Sequence, residues 1–448
     1  MQSHRGEWSS KIGFILAASG SAIGLGNIWR YPYIVGKNGG AAFVIIYLLI
    51  VVIIGLPYML GELALGRSSQ KNPVGAIGAI KPGSWWKGVG YLGVLTGLGI
   101  LSFYGVIAGW TVGYVFKMFS GAPGNFAAFI SEPVQVTLLL AFFIFITAAI
   151  VHGGVSGGIE RWSKILMPIL FVLMVILIIY AVSLPGSGAG LRFYLMPDFS
   201  KIDGNVILAA LGQAFFSLSL GMGLMITYGS YVTKSDDLFS SAGYIVFFDS
   251  LIAIMSGLII FPALFASGQD PEAGAKLVFV VFPELFMTMP FGSIIGGIFF
   301  ILLSVAALTS TISLLEVPVA FLVDEKKFHR KRIVWVVAGI AFLLGLPSAL
   351  SQGANDFFSN FGLIPERLAD PDFLSQMSFV FGDFSLAFGA LLLSIFIGWV
   401  WGAKAAAAEI AQGSRFFGKV FNIWVIMMRY VIPLSIFIIL LNLFGLFN

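Results

Sequence analysis

Apolar runs of roughly 17 to 30 residues recur along the whole 448-residue chain, separated by short polar or basic stretches, and each is long enough to cross a ~30 Å hydrocarbon core as a helix. Eleven such spans are read, centred near residues 24, 53, 103, 143, 172, 219, 256, 306, 341, 391 and 435. Two of them carry an interruption. Ala18 to Tyr33, ASGSAIGLGNIWRYPY, places Gly20, Gly24 and Gly26 in an otherwise apolar helix, with Asn27 and Arg30 one and two turns on. Gly212 to Tyr231, GQAFFSLSLGMGLMITYGSY, places Gly221, Gly223, Ser217 and Ser219 at mid-span. Glycines alone also serve close helix packing. A polar, glycine-rich span interior at membrane depth instead predicts a helix that breaks against protein or a hydrated cavity, exposing oriented N–H and C=O groups.

Composition fixes the solvent. Apolar residues make up 58% of the chain, charged residues 10%, and mean hydropathy is +0.98, outside the range of a soluble domain. No cleavable signal peptide is read ahead of the first span. With the N-terminus inside, seventeen Lys and Arg fall in cytoplasmic segments and six on the opposite side, and the cluster KKFHRKR after the eighth span dominates the bias. An odd number of spans then puts the C-terminus outside. The net charge of +4 reflects this topology and argues against nucleic-acid binding. Zero cysteines exclude disulfides and thiolate metal sites, and His4, His152 and His329 are too dispersed for zinc.

The organisation read from these signals is a cytoplasmic segment 1–10, a first group of five spans over 11–183, and an outer loop 184–205. A second group of five covers 206–403, with outer loops near 268–290 and 351–382, and residues 404–448 hold a cytoplasmic loop and an extra span. Glycine-interrupted spans that each open a group of five are the pattern of a transporter built from inverted repeats, with its site between the broken helices. The expected fold is therefore an all-α integral membrane protein of 11 transmembrane helices, a 5+5 inverted-repeat core with discontinuous helices 1 and 6. Its tails are short, which suits a bacterial inner membrane.

The strings GSAIGLGNIWRYPY, NGGAAF, GLPYMLGELALGR, SFYGVIAGW, GQAFFSLSLGMG and ALTSTISLLE, in this order, resemble the signatures of the neurotransmitter:sodium symporter family, of which the bacterial leucine transporter is the reference. The resemblance runs from residue 6 to about 325 and more weakly to about 402. It implies sodium-coupled symport by alternating access and no enzymatic activity. It also implies two Na+ sites, the first from the Ala22 carbonyl, Asn27, Ser217 and Asp249, and the second from the carbonyls of Gly20, Ile23 and Ala306 with the hydroxyls of Thr309 and Ser310. Neutral carbonyls and hydroxyls suit a hard monovalent ion that must be released. Hydroxyls in membrane helices more often bond back to the preceding turn; the adjacent Thr309 and Ser310, taken with the other motifs, favour the ion.

The substrate class follows from a missing group. Amides of Leu25 and Gly26 at a half-helix N-terminus, with the Tyr104 hydroxyl, can receive a carboxylate. The resemblance implies that monoamine carriers hold an aspartate at the position of Gly24, so glycine here predicts a substrate that brings its own carboxylate. Carbonyls of Ala22, Phe216, Ser217 and Ser219 would hold its ammonium group. Ile100, Tyr104, Phe216, Ser219, Met222, Ser310 and Leu314 would surround an uncharged side chain, and the flexible Met222 accommodates different shapes, aromatic ones included. The expected substrate is a neutral hydrophobic L-amino acid. The resemblance implies that chloride-dependent relatives have asparagine at the position of Asp249, so the carboxylate here predicts chloride-independent transport with no chloride cofactor.

For the gates, the resemblance implies Arg30 with Gln213, and Tyr104 stacked on Phe216, at the outer mouth; Arg5 with Asp324, Trp8 and Tyr231 are implied at the inner one. The family's usual aspartate partner for Arg30 is replaced by serine, leaving Asp383 as the nearest alternative and Asp372 as the other. Glu62 and Glu316 are expected to bond broken-helix amides and network partners. A homodimer in the lipid bilayer is compatible with this reading. An intramembrane hydrolase lacks a histidine near Ser217 and Asp249, and a channel lacks a continuous polar path. A sodium-dependent amino-acid sensor with the same pocket but no transport is the alternative.

Overall fold

The computed structural model describes residues 6–268, 278–414 and 416–446. Arg5, His4, Lys276 and Arg415 lie outside the described residues. The described residues fold as helices joined by turns and short loops, with no strand among them. The first span is broken as expected: α1 (Lys11–Ala22) and α2 (Gly26–Lys37) meet at 53°. Ser10 starts α1 by accepting a hydrogen bond from the Gly13 amide, and Gly39 and Gly40, both in the left-handed region, turn the chain into α3 (Ala41–Ser69).

The short α4 (Pro73–Ile80), capped by Asn72, leads to the long α5 (Lys87–Phe119), then α6 (Pro133–His152), α7 (Val155–Ser183) and α8 (Ser187–Leu195). The second interruption separates α9 (Gly204–Ser217) from α10 (Leu224–Gly229). The chain continues through α11 (Leu238–Ala266), α12 (Val281–Thr288), α13 (Gly292–Lys326), α14 (Arg330–Leu350), α15 (Phe373–Ala411) and α16 (Phe421–Leu443).

Among the described residues nine helices are long and apolar enough to span a bilayer. With the bent α1/α2 pair and the interrupted α9/α10 pair, the order is consistent with eleven crossings. The expected loops carry short helices of their own, and one span is longer than read. The stretch 184–205 contains the helix α8, and the stretch 268–290 contains α12. The tenth span runs past 403 to Ala411, with Gly402 at φ +94° marking the bend.

α5 and α13 form the buried axis, packing along each other, while α16 is the most peripheral span. Without water to drive apolar faces together, helices in lipid are joined by close packing and interhelical hydrogen bonds. Such bonds line this axis: Thr111–Ser304 at 2.8 Å, Thr147–Thr311 at 2.9 Å, Ser21–Ser313 at 2.7 Å and Thr96–Ser385 at 2.6 Å. They join the two central helices to each other and hold α1, α6 and α15 against them.

Candidate functional site between the broken helices

Each break frees backbone groups, and the structure accounts for them individually. At the first, Ile23 is extended and its amide still bonds Ser19 O at 2.7 Å. The Gly24 amide donates to Asn27 Oδ1 at 3.2 Å and the Leu25 amide to the Tyr104 hydroxyl at 2.9 Å. At the second, Ser219 takes φ +53°, a conformation that costs a non-glycine residue energy, and Gly221 and Gly223 follow at +88° and +77°. The Gly221 amide donates to Glu62 Oε1 at 2.8 Å, so this buried carboxylate holds a broken-helix amide. A Cβ on Gly221 would fall 2.7 Å from both Ala390 Cβ and Leu386 O, which is why α15 can press so close here.

Two oxygen-rich clusters flank the first break. In one, Asn27, Ser217, Asp249 and Tyr47 are all buried. Asn27 Nδ2 donates to Asp249 Oδ1 at 2.8 Å and Ser217 Oγ at 2.9 Å, and Ser217 Oγ donates to Asp249 Oδ2 at 2.8 Å. Tyr47, unforeseen from sequence, adds its hydroxyl at 3.1 Å from Ser217 Oγ and 3.4 Å from Asp249 Oδ2. In the other, Thr309 Oγ1 donates to Ala306 O at 2.9 Å and lies 3.3 Å from Ile23 O, while Ser310 Oγ lies 3.2 Å from Ile23 O. Gly20 faces Thr309 so closely that a Cβ would stand 3.2 Å from its side chain. The donors are carbonyls, hydroxyls and one carboxylate. No group of three or more His, Cys, Asp or Glu gathers among the described residues. Such hard oxygens fit an alkali cation better than a transition metal.

Between the clusters lies a cavity of about 50 Å³, lined by Ala22, Gly24, Gly26, Ile100, Tyr104, Phe216, Ser219, Met222, Ser310 and Leu314 together with Ser21, Phe103 and Leu224. Of the residues expected around a ligand, Leu25 faces a different cavity and Ser217 belongs to the Asp249 cluster. Phe103 was missed although it sits one helical turn from Ile100 and beside Tyr104, the spacing that shares a face. Gly24 leaves its space open: a Cβ there would fall 2.5 Å from Ser310 Oγ and 2.8 Å from the Tyr104 hydroxyl.

A second, wider cavity of about 570 Å³ opens beyond this one, and Gly26, Phe103, Tyr104 and Phe216 line both. Arg30 stands in this vestibule with its guanidinium carbon 4.3 Å from the centre of the Phe216 ring and Nη2 3.9 Å from Asp383 Oδ1. Gln213 Nε2 donates to Gly26 O at 3.1 Å. Asp372 is occupied as the cap of Ser375 and the partner of Gln352. The expected stacking of Tyr104 on Phe216 is not found: Phe216 carries Arg30 on its face, and Tyr104 turns its hydroxyl to Leu25.

The opposite end is packed. Trp8 Nε1 donates to Tyr228 O at 3.0 Å and its ring meets Tyr228 and Tyr231 edge-on. Asp324 Oδ2 accepts from the Asn72 amide at 3.1 Å. Tyr231 donates to Glu316 Oε1 at 2.7 Å, and Glu316 pairs with Arg330 at 2.6 Å. Glu160, which no local pattern singles out, gathers the Ser9 amide and hydroxyl at 2.7 and 2.6 Å, the Ser10 hydroxyl at 2.9 Å and Lys164 at 2.6 Å. Its serine partners lie 151 and 150 residues away in the chain.

Comparison with known proteins agrees with this geometry. A family model described as the Sodium:neurotransmitter symporter family matches residues 5–124 and 125–447. An uncharacterized sodium-dependent transporter, YhdH of Bacillus subtilis, is 39% identical over 99% of this chain and 98% of its own length. An uncharacterized sodium-dependent transporter of Haemophilus influenzae is 34% identical over 98% of both chains. The crystal structure of MhsT in complex with L-phenylalanine superposes with a TM-score of 0.87 at 43% identity, covering 98% of this chain and 100% of that one. The two broken helices, the oxygen clusters beside them and these matches together place the protein in the sodium:neurotransmitter symporter family, as an integral membrane, sodium-dependent transporter.

Proposed function

We propose that the protein is a sodium-coupled symporter of neutral hydrophobic L-amino acids, aromatic ones included, that needs no chloride. The observation that carries this reading is the small cavity set between the two oxygen clusters, apolar along Ile100, Phe103, Met222 and Leu314 and polar where the broken helices meet. The Leu25 and Gly26 amides with Tyr104 would take the substrate carboxylate, and the carbonyls of Ala22, Phe216, Ser217 and Ser219 its ammonium. No side chain at Gly24 supplies a rival negative charge. One Na+ would lie with Ala22, Asn27, Ser217 and Asp249, where Asp249 provides the charge that an asparagine would leave to chloride. A second would lie with Gly20, Ile23, Ala306, Thr309 and Ser310.

Binding the ion beside the substrate couples them, because each is held by backbone that the other orders. Arg30, Gln213 and Asp383 would close the vestibule, and Arg5, Trp8, Tyr231 and Asp324 the other mouth, with the N-terminus cytoplasmic in a bacterial inner membrane. That MhsT was crystallised with L-phenylalanine supports the substrate class. The test is uptake of radiolabelled neutral amino acids into proteoliposomes. Accumulation above the outside concentration that needs an inward sodium gradient and survives replacement of chloride by gluconate is expected. Saturable sodium-dependent binding without accumulation would show a sensor instead.

A further inference from the structure

Arg429 has no part in the transport site, and it lies within α16, eight residues or roughly 12 Å from its start, where a charge is expensive unless something compensates it. Other embedded arginines have carboxylates: Arg30 faces Asp383, Arg67 pairs with Glu409 at 2.8 Å, and Arg330, at the start of α14, pairs with Glu316. Among the described residues Arg429 has neither an ion pair nor a hydrogen-bond acceptor for its guanidinium, and its Nε is buried without a partner. What it has is an aromatic setting. Its guanidinium carbon lies 4.4 Å from the centre of the Trp399 ring, and Tyr430 meets the same ring edge-on at 5.5 Å.

The setting is built by the backbone. Both helices carry a widened π turn where they meet, Phe396–Gly402 in α15 and Met427–Val431 in α16. Such turns release carbonyl groups and often mark functional positions. The released Arg429 carbonyl is taken by Trp399 Nε1 at 3.0 Å. Gly398 allows the approach, since a Cβ there would stand 2.9 Å from Met428 O. Trp399 and Tyr430 are more than half exposed on the outer surface of the bundle, and Trp399 lies three residues before the bend at Gly402. An arginine this far inside a span extends its long side chain toward the headgroup level. A planar, unpaired guanidinium at that level, backed by an indole, presents free N–H groups to an oxyanion from the lipid side, and a phosphate diester is the oxyanion present there.

We propose that Trp399, Arg429 and Tyr430 form a binding site for the phosphate of a membrane phospholipid at the seam of the last two spans, with anionic headgroups preferred. The site is independent of the substrate reading, since none of its residues lines the substrate cavity.

The test is native mass spectrometry of the full chain, released from nanodiscs of zwitterionic lipid containing a minor fraction of phosphatidylglycerol, comparing wild type with Arg429→Gln and Arg429→Lys. Removing the fork should lower retained phosphatidylglycerol by about tenfold, and lysine should restore part of it. A wild-type adduct displaced by millimolar inorganic phosphate would identify free phosphate as the ligand and overturn the lipid assignment. Equal retention by wild type and Arg429→Gln would overturn the site. So would a change confined to oligomeric state, which would mean that Arg429 meets a second copy of the chain. Trp399→Leu, which leaves the charge in place, gives a second reading should Arg429→Gln fail to fold: retention should fall here too, and wild-type retention would overturn the aromatic part of the site.

Discussion

The two ends of the transport site are held by different kinds of contact. At the vestibule end one ion pair, Arg30 with Asp383, spans 3.9 Å, and both side chains are about a third exposed (34% and 37%) above a 570 Å³ opening. At the Trp8 end the contacts are short and numerous and the carboxylates at their centre are buried, although Lys164 and Lys234 are themselves 39% and 50% exposed. Glu160 is filled by Ser9, Ser10 and Lys164, Glu316 by Arg330 and Tyr231, and Glu409 by Arg67 and Lys234, while Arg67 also donates to the Asp236 and Glu409 carbonyls. Exposed ion pairs contribute little stability, whereas removing one member of a buried pair leaves a desolvated charge behind. In this conformation, then, one mouth is held by contacts that are costly to break and the other by contacts that are not. A carrier working by alternating access must offset the loss of the first set with gains elsewhere, and substrate and ion binding are the available source.

Four substitutions probe that asymmetry. The largest effect is expected from Arg67→Ala, which strips the donors from the Asp236 and Glu409 carbonyls and leaves the Glu409 carboxylate with Lys234 and Gln412; thermal unfolding in detergent should show a loss of about 3 kcal/mol. Glu160→Ala removes a charged acceptor shared by Ser9 and Ser10 and should cost about 2 kcal/mol. In the same variant a cysteine placed at Ser9 should react faster with a water-soluble maleimide, and unchanged labelling would mean that the first helix is pinned by Trp8 alone.

Gly24→Ala acts between the two ends. Its methyl group would crowd Ser310 Oγ and the Tyr104 hydroxyl, so substrate affinity measured by scintillation proximity should weaken by about tenfold, equivalent to ~1.4 kcal/mol, with little change in unfolding temperature. Asp383→Asn should have the smallest effect on stability, below ~1 kcal/mol, and should show instead as an altered uptake rate. If Asp383→Asn destabilised the protein as much as Arg67→Ala, the contrast between the ends would be false.

The positions of the breaks were legible in the sequence because glycine and hydroxyl residues inside a lipid-length apolar run mark backbone that leaves the helix and must be satisfied by neighbouring protein. Asn27, Ser217, Asp249, Thr309 and Ser310 were singled out through the family resemblance, and the structure gives each of them a polar partner, as membrane depth requires. Leu224 was not, since an apolar residue facing a cavity and one facing lipid look alike along the chain. Nor was Tyr47, since a tyrosine inside an apolar run gives no sign along the chain that its hydroxyl reaches Ser217. The Trp8 end was the least legible, because Glu160, Glu316 and Glu409 take their meaning from partners on other helices. Of the two carboxylates considered for Arg30, the structure brings Asp383 to it, at 3.9 Å, and commits Asp372 to capping α15. That choice depends on where the helix begins, which hydropathy does not fix to within a turn.

The wall between the cavity and the vestibule is one residue thick, made of Gly26, Phe103, Tyr104 and Phe216. On its vestibule side, separation of the cavity from the water above it rests on three rings and a bare backbone. Rotation of Phe216 out from under Arg30 would join the two compartments without moving a helix. A smaller residue at Phe216 would therefore open the cavity to the vestibule while the Trp8 end stays closed, and would show itself as faster escape of bound substrate with no standing current.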